Sequence, residues 1–160
     1  MFKSVIILVP GLGNSGEQHW QSYWEKTYHF RRVNQQDWET PDLQDWLETL
    51  DNTVTEYNLA DVILVGHSLA CATIAAWAAK YRRSIKAALL VAPADTEAPD
   101  FPNVTTNFTP MSVQKLAFPS VVVASTDDEY VTLERAEYFA ECWGSKLVNY
   151  WLGWSYQCCG

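Results

Sequence analysis

The 160-residue chain is 48% hydrophobic, contains eight tryptophans and carries a net charge of −8. A chain of this length forms one domain, which buries a little under ~70% of the surface that its unfolded form exposes. The composition excludes a disordered chain, and no apolar run is long enough for a membrane span. The negative charge, without any Lys/Arg-rich run, argues against a nucleic-acid partner.

The sequence indicates neither a targeting segment nor a metal site. Residues 2–9 lack the basic start, the long apolar core and the cleavage site of a signal peptide, which predicts a cytoplasmic protein. Cys71 and Cys142 fall within predicted helices, whereas Cys158 and Cys159 are adjacent. Because these spacings fit neither a disulfide framework nor a zinc site, we predict no bound metal.

The first predicted strand, residues 4–9, is an unbroken apolar run of the kind found in buried parallel sheets. A glycine-rich loop, residues 10–16, follows it. The loop lacks the G-K-[ST] and G-x-G-x-x-G patterns of phosphate-binding loops, although phosphate binding is one interpretation. The other is an oxyanion loop, in which the backbone N–H of Leu12 is a donor.

A predicted aromatic helix begins at His19 and Trp20 and ends near Tyr28. His19 stands next to the glycine-rich loop, and we interpret it as a helix-start or pocket-wall residue rather than a catalytic base. Trp20 is a second pocket-wall candidate. A weak strand at residues 31–33 and an amphipathic helix at residues 41–57 follow. Four acids of this helix are predicted to face water: Asp42, Asp45, Glu48 and Asp51.

The third predicted strand, residues 62–65, leads through the sequence GHSLA into an Ala-rich helix. A serine on a tight strand-to-helix turn is the geometry of a nucleophile elbow, in which both flanking positions must be small because strand and helix pass close together. Ser68 is therefore the candidate nucleophile, and the Leu69 N–H is the second candidate oxyanion donor. His67 is a further pocket-wall candidate. The alternative is a plain turn with Ser68 as a helix N-cap.

Beyond this helix, a fourth strand is predicted at residues 85–91. The proline-rich segment that follows, residues 93–110, is too long and irregular for an ordinary connection. It either forms a lid or substrate wall over the serine or is an ordered surface crossover.

Two adjacent acids, Asp127 and Asp128, follow the fifth predicted strand, residues 120–124. The acid of a hydrolase triad comes from this kind of loop, after the nucleophile in the chain. Either acid could serve; the alternative is that one of them caps the predicted helix at residues 132–142, and both roles fit if Asp128 is the triad acid. With a sixth strand at residues 146–150, the alternation of apolar strands and helices predicts a doubly wound parallel α/β sheet.

The chain resembles the small serine hydrolases related to retinoblastoma-binding protein nine, in particular their bacterial members. The resemblance covers residues 4 to about 149 and rests on four motifs: VPGLGNSGEQHW, GHSLACATIAAW, VAPADTEAPDFPNV and STDDEYVTLERAEYFA. It implies a minimal single-domain α/β-hydrolase of three αβα layers at residues 1–149, with Ser68 as nucleophile and Asp128 as acid. It also implies small ester or amide substrates and no cofactor.

The remaining residues, 150–160, depart from that family, whose general base is a histidine in a Gly-His-Ile-Asn type of segment. No histidine follows His67, and the His67 side chain is not expected to reach Ser68 Oγ as a base would. The codons of residues 150–159, read one nucleotide later, can spell Ile-Gly-Trp-Ala-Gly-His-Ile-Asn-Ala-Ala. We therefore interpret residues 150–160 as a frameshift product, in the gene or in the sequence as determined.

These observations predict a carboxylesterase-like serine hydrolase that acts on a small acyl substrate but is impaired because its base is missing. The alternative is a non-catalytic binding protein on the same fold. The altered tail would leave one sheet face partly uncovered. Its apolar residues are predicted to form a patch for self-association: Trp151, Leu152, Trp154 and Tyr156.

Overall fold

A computed structural model describes residues 3–150. This range contains six strands and four α-helices, and one short 3-10 helix, Leu59–Asp61, precedes the third strand. The strands are β1 Val5–Val9, β2 Arg31–Arg32, β3 Val62–His67, β4 Ala87–Val91, β5 Ser120–Ser125 and β6 Lys146–Tyr150. The helices are α1 Trp20–Tyr28, α2 Leu43–Val54, α3 Leu69–Tyr81 and α4 Leu133–Trp143.

All six strands are parallel and lie in the order β2-β1-β3-β4-β5-β6, which confirms the predicted doubly wound α/β sheet. The chain leaves β1 toward β2 on one side and leaves β3 toward β4 on the other. The order therefore reverses between β1 and β3. In open sheets of this type, ligands bind in the crevice at the carboxyl ends of the strands on either side of such a reversal.

Most predicted elements differ from the observed ones by one to three residues at their ends. The helix α2 is shorter than predicted because it begins after Asp42, whose carboxylate accepts a hydrogen bond from the Gln44 N–H and caps the helix. The segment after β4 contains no helix or sheet strand, as expected for residues 93–110. Within residues 3–150, no helix combines the length and apolar character that crossing a bilayer requires.

The main hydrophobic core is formed by the apolar sides of the sheet and of helices α2, α3 and α4. Its largest fully buried members are aromatic: Trp77, Phe139 and Trp143. Burying aromatic side chains of this size supplies much of the hydrophobic stabilisation of a small domain. A smaller second cluster around Leu69 lies at the carboxyl edge of the sheet and is described with the site below.

Asp51 does not face water, contrary to the prediction, and is 8% exposed. Its carboxylate accepts hydrogen bonds from Trp77 Nε1 at 3.0 Å and from Arg83 Nε and Nη2 at 2.6 and 2.9 Å. The hydrogen bond from Arg83 holds the pKa of Asp51 below its usual range. The pair joins α2 to the end of α3, so the periodicity of α2 alone could not reveal it.

Asp51→Asn is expected to lower the melting temperature at neutral pH by a few degrees, because the ion pair with Arg83 is lost. A carboxyl whose folded pKa is lowered stabilises the protein above its unfolded pKa of about 4, and this contribution disappears as the pH falls through the folded pKa. The difference in melting temperature between the two proteins should therefore shrink in acid. Thermal unfolding across this pH range measures it, with the exposed Asp45→Asn as control; a difference that is constant with pH contradicts the assignment.

One face of β4, β5 and β6 is only partly covered. Strand register places Leu89 beside Val121, and Val123 between Val91 and Val148. All five aliphatic side chains are half-buried or exposed. The predicted tail patch and frameshifted segment lie outside the described residues, except for Tyr150, which pairs with Ser125 in β6.

Candidate active site

Ser68 lies on the turn between β3 and α3 with φ of 56° and ψ of −119°. A positive φ is costly for a residue other than glycine and persists where the surroundings over-determine it, as they do at functional sites. Here the Ser68 N–H donates to Val91 O at 3.0 Å, and Ser68 O accepts from the N–H groups of Cys71 and Ala94 at 3.0 and 3.2 Å. The Ser68 side chain makes no capping hydrogen bond, so the N-cap alternative does not explain this residue.

The residues flanking the turn are small because β3 and α3 are in close contact, as predicted. A Cβ atom on Gly66 would lie 2.7 Å from Ile74 Cδ1 and 3.6 Å from the backbone of Ala70. Ala70 itself is fully buried. The G-x-S-x-A pattern therefore has a direct steric cause in this chain.

The glycine-rich loop, residues 10–16, lies directly against this turn. A Cβ atom on Gly11 would lie 2.8 Å from His67 O and 3.2 Å from both Leu69 N and Ser68 Cβ. The loop then turns, with the Asn14 N–H donating to Gly11 O at 3.1 Å and Gly13 at φ 75°. The next residue after Gly11, Leu12, is thereby placed beside the first turn of α3.

The residues whose backbone N–H groups are expected to bind an oxyanion, Leu12 and Leu69, lie close to each other in the structure. The Leu69 N–H is at the first position of α3, where an N–H has no acceptor within its own helix. The helix N-terminus also carries partial positive charge, which favours a developing negative charge nearby. Leu12 and Leu69 additionally share one apolar cluster.

The two candidate acids have different surroundings. Asp128 is half-buried, its Oδ1 accepts the Tyr130 N–H at 2.8 Å, and burial raises its pKa. Burial raises the pKa of the Cys71 thiol, and the charge of the nearby Asp128 adds to that effect. Asp127 is exposed and accepts a hydrogen bond from Ser125 Oγ.

Neither aspartate caps α4, so that alternative is wrong. The cap is Thr132, whose hydroxyl accepts a hydrogen bond from the Arg135 N–H at 3.2 Å. Threonine at this position satisfies an N–H group that the helix leaves without a partner.

A partly buried ion pair that the sequence pattern did not predict supports the loop around Asp128. Arg135 donates from Nε and Nη2 to Asp95 at 2.7 and 3.2 Å, and from Nη2 to Glu97 at 2.6 Å. The Asp95 N–H in turn donates to Tyr130 O at 3.1 Å. The segment after β4 is thus joined both to α4 and to the loop that carries the acids. Local patterns could not reveal this because Arg135 and Asp95 are 40 residues apart.

The three pocket-wall candidates form one cluster next to the elbow. The His19 ring lies 4.7 Å from that of His67 and 5.3 Å from that of Trp20, and Trp20 lies 5.9 Å from His67. His19 Nδ1 accepts the Gln21 N–H at 3.2 Å, so its proton resides on Nε2. Burial lowers the pKa of His19 to about 4 and that of His67 to about 3.

Neither of these histidines has the properties of a general base at neutral pH, since such a base works best with a pKa near the working pH. The third histidine of the sequence, His29, is exposed at the C-terminal end of α1. The sequence therefore supplies a candidate nucleophile, a half-buried candidate acid and candidate backbone donors, but no histidine suited to accept the Ser68 proton.

The segment after β4 is an ordered wall beside the elbow. The Thr106 N–H donates to Pro41 O at 2.9 Å, and Thr106 O accepts a hydrogen bond from the Leu43 N–H at 3.0 Å. Phe108 packs with Leu69 in the second apolar cluster. The other members of this cluster are Trp46, which is buried, and the half-buried Leu12, Trp38, Leu43 and Phe101.

Comparison with known proteins places these features in a family. A model of the family described as serine hydrolase matches residues 6–152. The crystal structure of a YdeN-like hydrolase from Pectobacterium atrosepticum is 29% identical, with a TM-score of 0.79 over 93% of this chain and 77% of the other. A comparison with curated proteins gave no significant match.

Two more distant structures share the fold alone. The ydeN gene product of Bacillus subtilis is 22% identical, with a TM-score of 0.79 over 94% of this chain and 86% of its own. Est1E from Butyrivibrio proteoclasticus is 17% identical, with a TM-score of 0.66 over 94% and 79%. Because the family model covers nearly all of the described sheet and helices, the chain belongs to the serine hydrolase family.

Proposed function

We propose that this protein is a carboxylesterase-like hydrolase of small esters or amides, with Ser68 as its nucleophile. The observation that carries the proposal is the strained Ser68 turn with Gly11 packed against it. Membership of the serine hydrolase family supports the same chemistry.

The proposed reaction has two steps. Ser68 Oγ attacks the acyl carbon and loses its proton to a base, and the N–H groups of Leu69 and Leu12 stabilise the resulting oxyanion. Collapse of the tetrahedral intermediate breaks the bond to the alcohol or amine, which leaves with the proton. Water then attacks the acyl carbon and gives a proton to the base. The bond between the acyl carbon and Ser68 Oγ breaks, Ser68 Oγ takes the proton back from the base, and the carboxylic acid product leaves. Asp128 is the group that would orient the base.

We propose that a protein of this 160-residue sequence performs this reaction only weakly. His19 and His67 are held neutral with low pKa values, so the Ser68 hydroxyl keeps its proton. What remains when a triad member is missing is a residual catalysis of roughly 10³ to 10⁴ over water, from the oxyanion donors and from binding.

We further propose that the chain is related to the bacterial hydrolases of the retinoblastoma-binding protein nine type and that its end is a shifted reading of their histidine segment. Sequencing the DNA across the Tyr150 codon tests this. The idea fails if no one-base shift produces a histidine codon at position 155.

The apolar cluster beside the elbow favours a neutral, apolar acyl group. Half-buried Trp38, Phe101 and Leu12 pack around the buried Leu69 and Phe108. The net charge of −8 disfavours an anionic substrate. Comparing acyl chain lengths in a p-nitrophenyl ester series tests this preference.

A non-catalytic binding protein is the second candidate, and the lack of a suitable base favours it. Fluorophosphonate labelling distinguishes the two in a chain whose histidine segment has been restored. A hydrolase is labelled at Ser68, whereas a binding protein is not.

Gly11→Ala is expected to lower ester turnover by about 10²-fold or more in the restored chain, because its Cβ would meet His67 O at 2.8 Å and displace an oxyanion donor. Gly16→Ala is the matched control in the same loop, since a Cβ there meets nothing within 4 Å. Steady-state kinetics measure both. Equal activity of the two variants would contradict the role assigned to the loop.

A further inference from the structure

The helix α1 buries a polar side chain next to the elbow and leaves its aromatic ones partly exposed. Gln21 is fully buried, while Trp20 and Trp24 are half-buried and Tyr23 is exposed. Burying an amide is costly unless its hydrogen bonds are replaced. The position of Gln21 therefore calls for a physical explanation other than hydrophobic packing.

The Gln21 carboxamide has hydrogen-bond partners on three different segments. Its Nε2 donates to Val9 O at 3.2 Å and to Val65 O at 3.1 Å, and its Oε1 accepts from Ser15 Oγ at 2.6 Å. Both amide hydrogens and the amide oxygen are thus satisfied. A fully satisfied buried network holds its members in one arrangement.

These partners flank the candidate oxyanion donors. Val9 ends β1, immediately before the glycine-rich loop, and is the register neighbour of Gly66. Val65 precedes Ser68 by three residues, and Ser15 lies near the end of the same loop. The carboxamide therefore sits where the strand order reverses and joins both walls of that crevice to the loop.

Arg32 holds the far end of the loop. Its side chain is 9% exposed, and its Nη1 donates to Asn14 Oδ1 at 2.9 Å and to Ser15 O at 3.1 Å. Its Nη2 donates to Ser22 Oγ at 2.7 Å, and Ser22 Oγ donates to Ser15 O at 3.1 Å. At the other end, Gln21 joins Val9, which immediately precedes the loop, to Val65 in β3.

We propose that Gln21 is a positioning residue for the oxyanion hole: it fixes the loop so that the N–H groups of Leu12 and Leu69 converge on one oxygen. The inference rests on the proposed hydrolase function. Its physical basis is that catalysis by fixed donors depends on their placement, and a displacement of about 1 Å costs on the order of 10²-fold in rate.

The first test follows loop geometry and needs no activity. In the 160-residue protein, Gln21→Leu removes the hydrogen bonds at similar size. Amide hydrogen exchange at Gly13 and Asn14 is expected to accelerate about tenfold or more, because the lost hydrogen bonds no longer stabilise the closed form of the loop. Ser120→Ala is the control, because its buried hydroxyl bonds Ser145 Oγ at 2.7 Å at the opposite edge of the sheet. Exchange in the loop that matches this control would overturn the proposal.

The second test separates positioning from a merely structural role. In the chain with the histidine segment restored, Gln21→Leu is expected to lower kcat for a p-nitrophenyl ester by about 10- to 100-fold with KM changed less than about threefold, since the donors act in the transition state. Ser120→Ala should change neither. If Gln21→Leu raised KM or lowered the melting temperature and left kcat unchanged, the proposal would be overturned. If the restored chain without the Gln21 substitution shows no Ser68-dependent turnover, the hydrolase function fails. The exchange experiment still decides whether Gln21 fixes the loop.

Discussion

Replacing residues 150–159 by the shifted-frame sequence Ile-Gly-Trp-Ala-Gly-His-Ile-Asn-Ala-Ala is expected to raise hydrolysis of short p-nitrophenyl esters by about 10⁴-fold. The reason is that the described residues already hold the strained Ser68 turn with Gly11 packed against it, while His19 and His67 have pKa values too low for a base. A histidine at position 155 would supply the proton acceptor. Initial rates at neutral pH measure the gain.

Two controls make this result specific. The same replacement sequence with glutamine at position 155 keeps the length and composition of the new segment but provides no base, so it should stay at the level of the 160-residue chain. Ser68→Ala in the restored chain should remove the gain. Equal activity with histidine and with glutamine would show that the segment acts by stabilising the fold.

Asp128→Asn in the restored chain is expected to lower kcat by about 10⁴-fold, because an amide cannot hold the imidazole in the required tautomer or stabilise its charged form. The matched variant Asp127→Asn should keep kcat within about twofold. The two carboxylates are adjacent in sequence, yet Asp128 is half-buried and its charge acts on Cys71 in α3, whereas Asp127 is exposed beside Ser125.

Comparing the change in kcat with the change in KM, and measuring the melting temperature, separates a catalytic from a structural effect. Loss of the acid should reduce kcat with little change in KM. If Asp127→Asn proved the more damaging substitution, the acid would have to be assigned to the exposed position, and the preference for Asp128 would be wrong.

Features encoded within a short stretch of chain could be predicted from the sequence. The strands are runs of aliphatic residues, and the turn at Ser68 follows from a strand, small flanking residues and an Ala-rich helix in direct succession. Their alternation then limits the sheet to a parallel, doubly wound form. Glycine at position 11 was recognised as part of a loop, although its contact with the elbow became clear only in three dimensions.

Polar contacts between distant segments could not be predicted. Asp51 looked like a solvated helix residue because its partner Arg83 lies on another element, 32 residues away. Gln21 lies among aromatic residues that would normally mark the buried side of a helix, but its amide hydrogens bond carbonyls of two strands. In both cases the pairing depends on the tertiary fold, which periodicity within one helix does not encode.

We propose that Ser68 is a nucleophile in a preformed acyl-transfer site. Intact-mass analysis after treatment of the restored chain with a fluorophosphonate tests it most directly. We expect a single adduct that maps to Ser68 and is absent from Ser68→Ala. A restored, folded chain that remains unmodified, or an adduct that persists in Ser68→Ala, would contradict it.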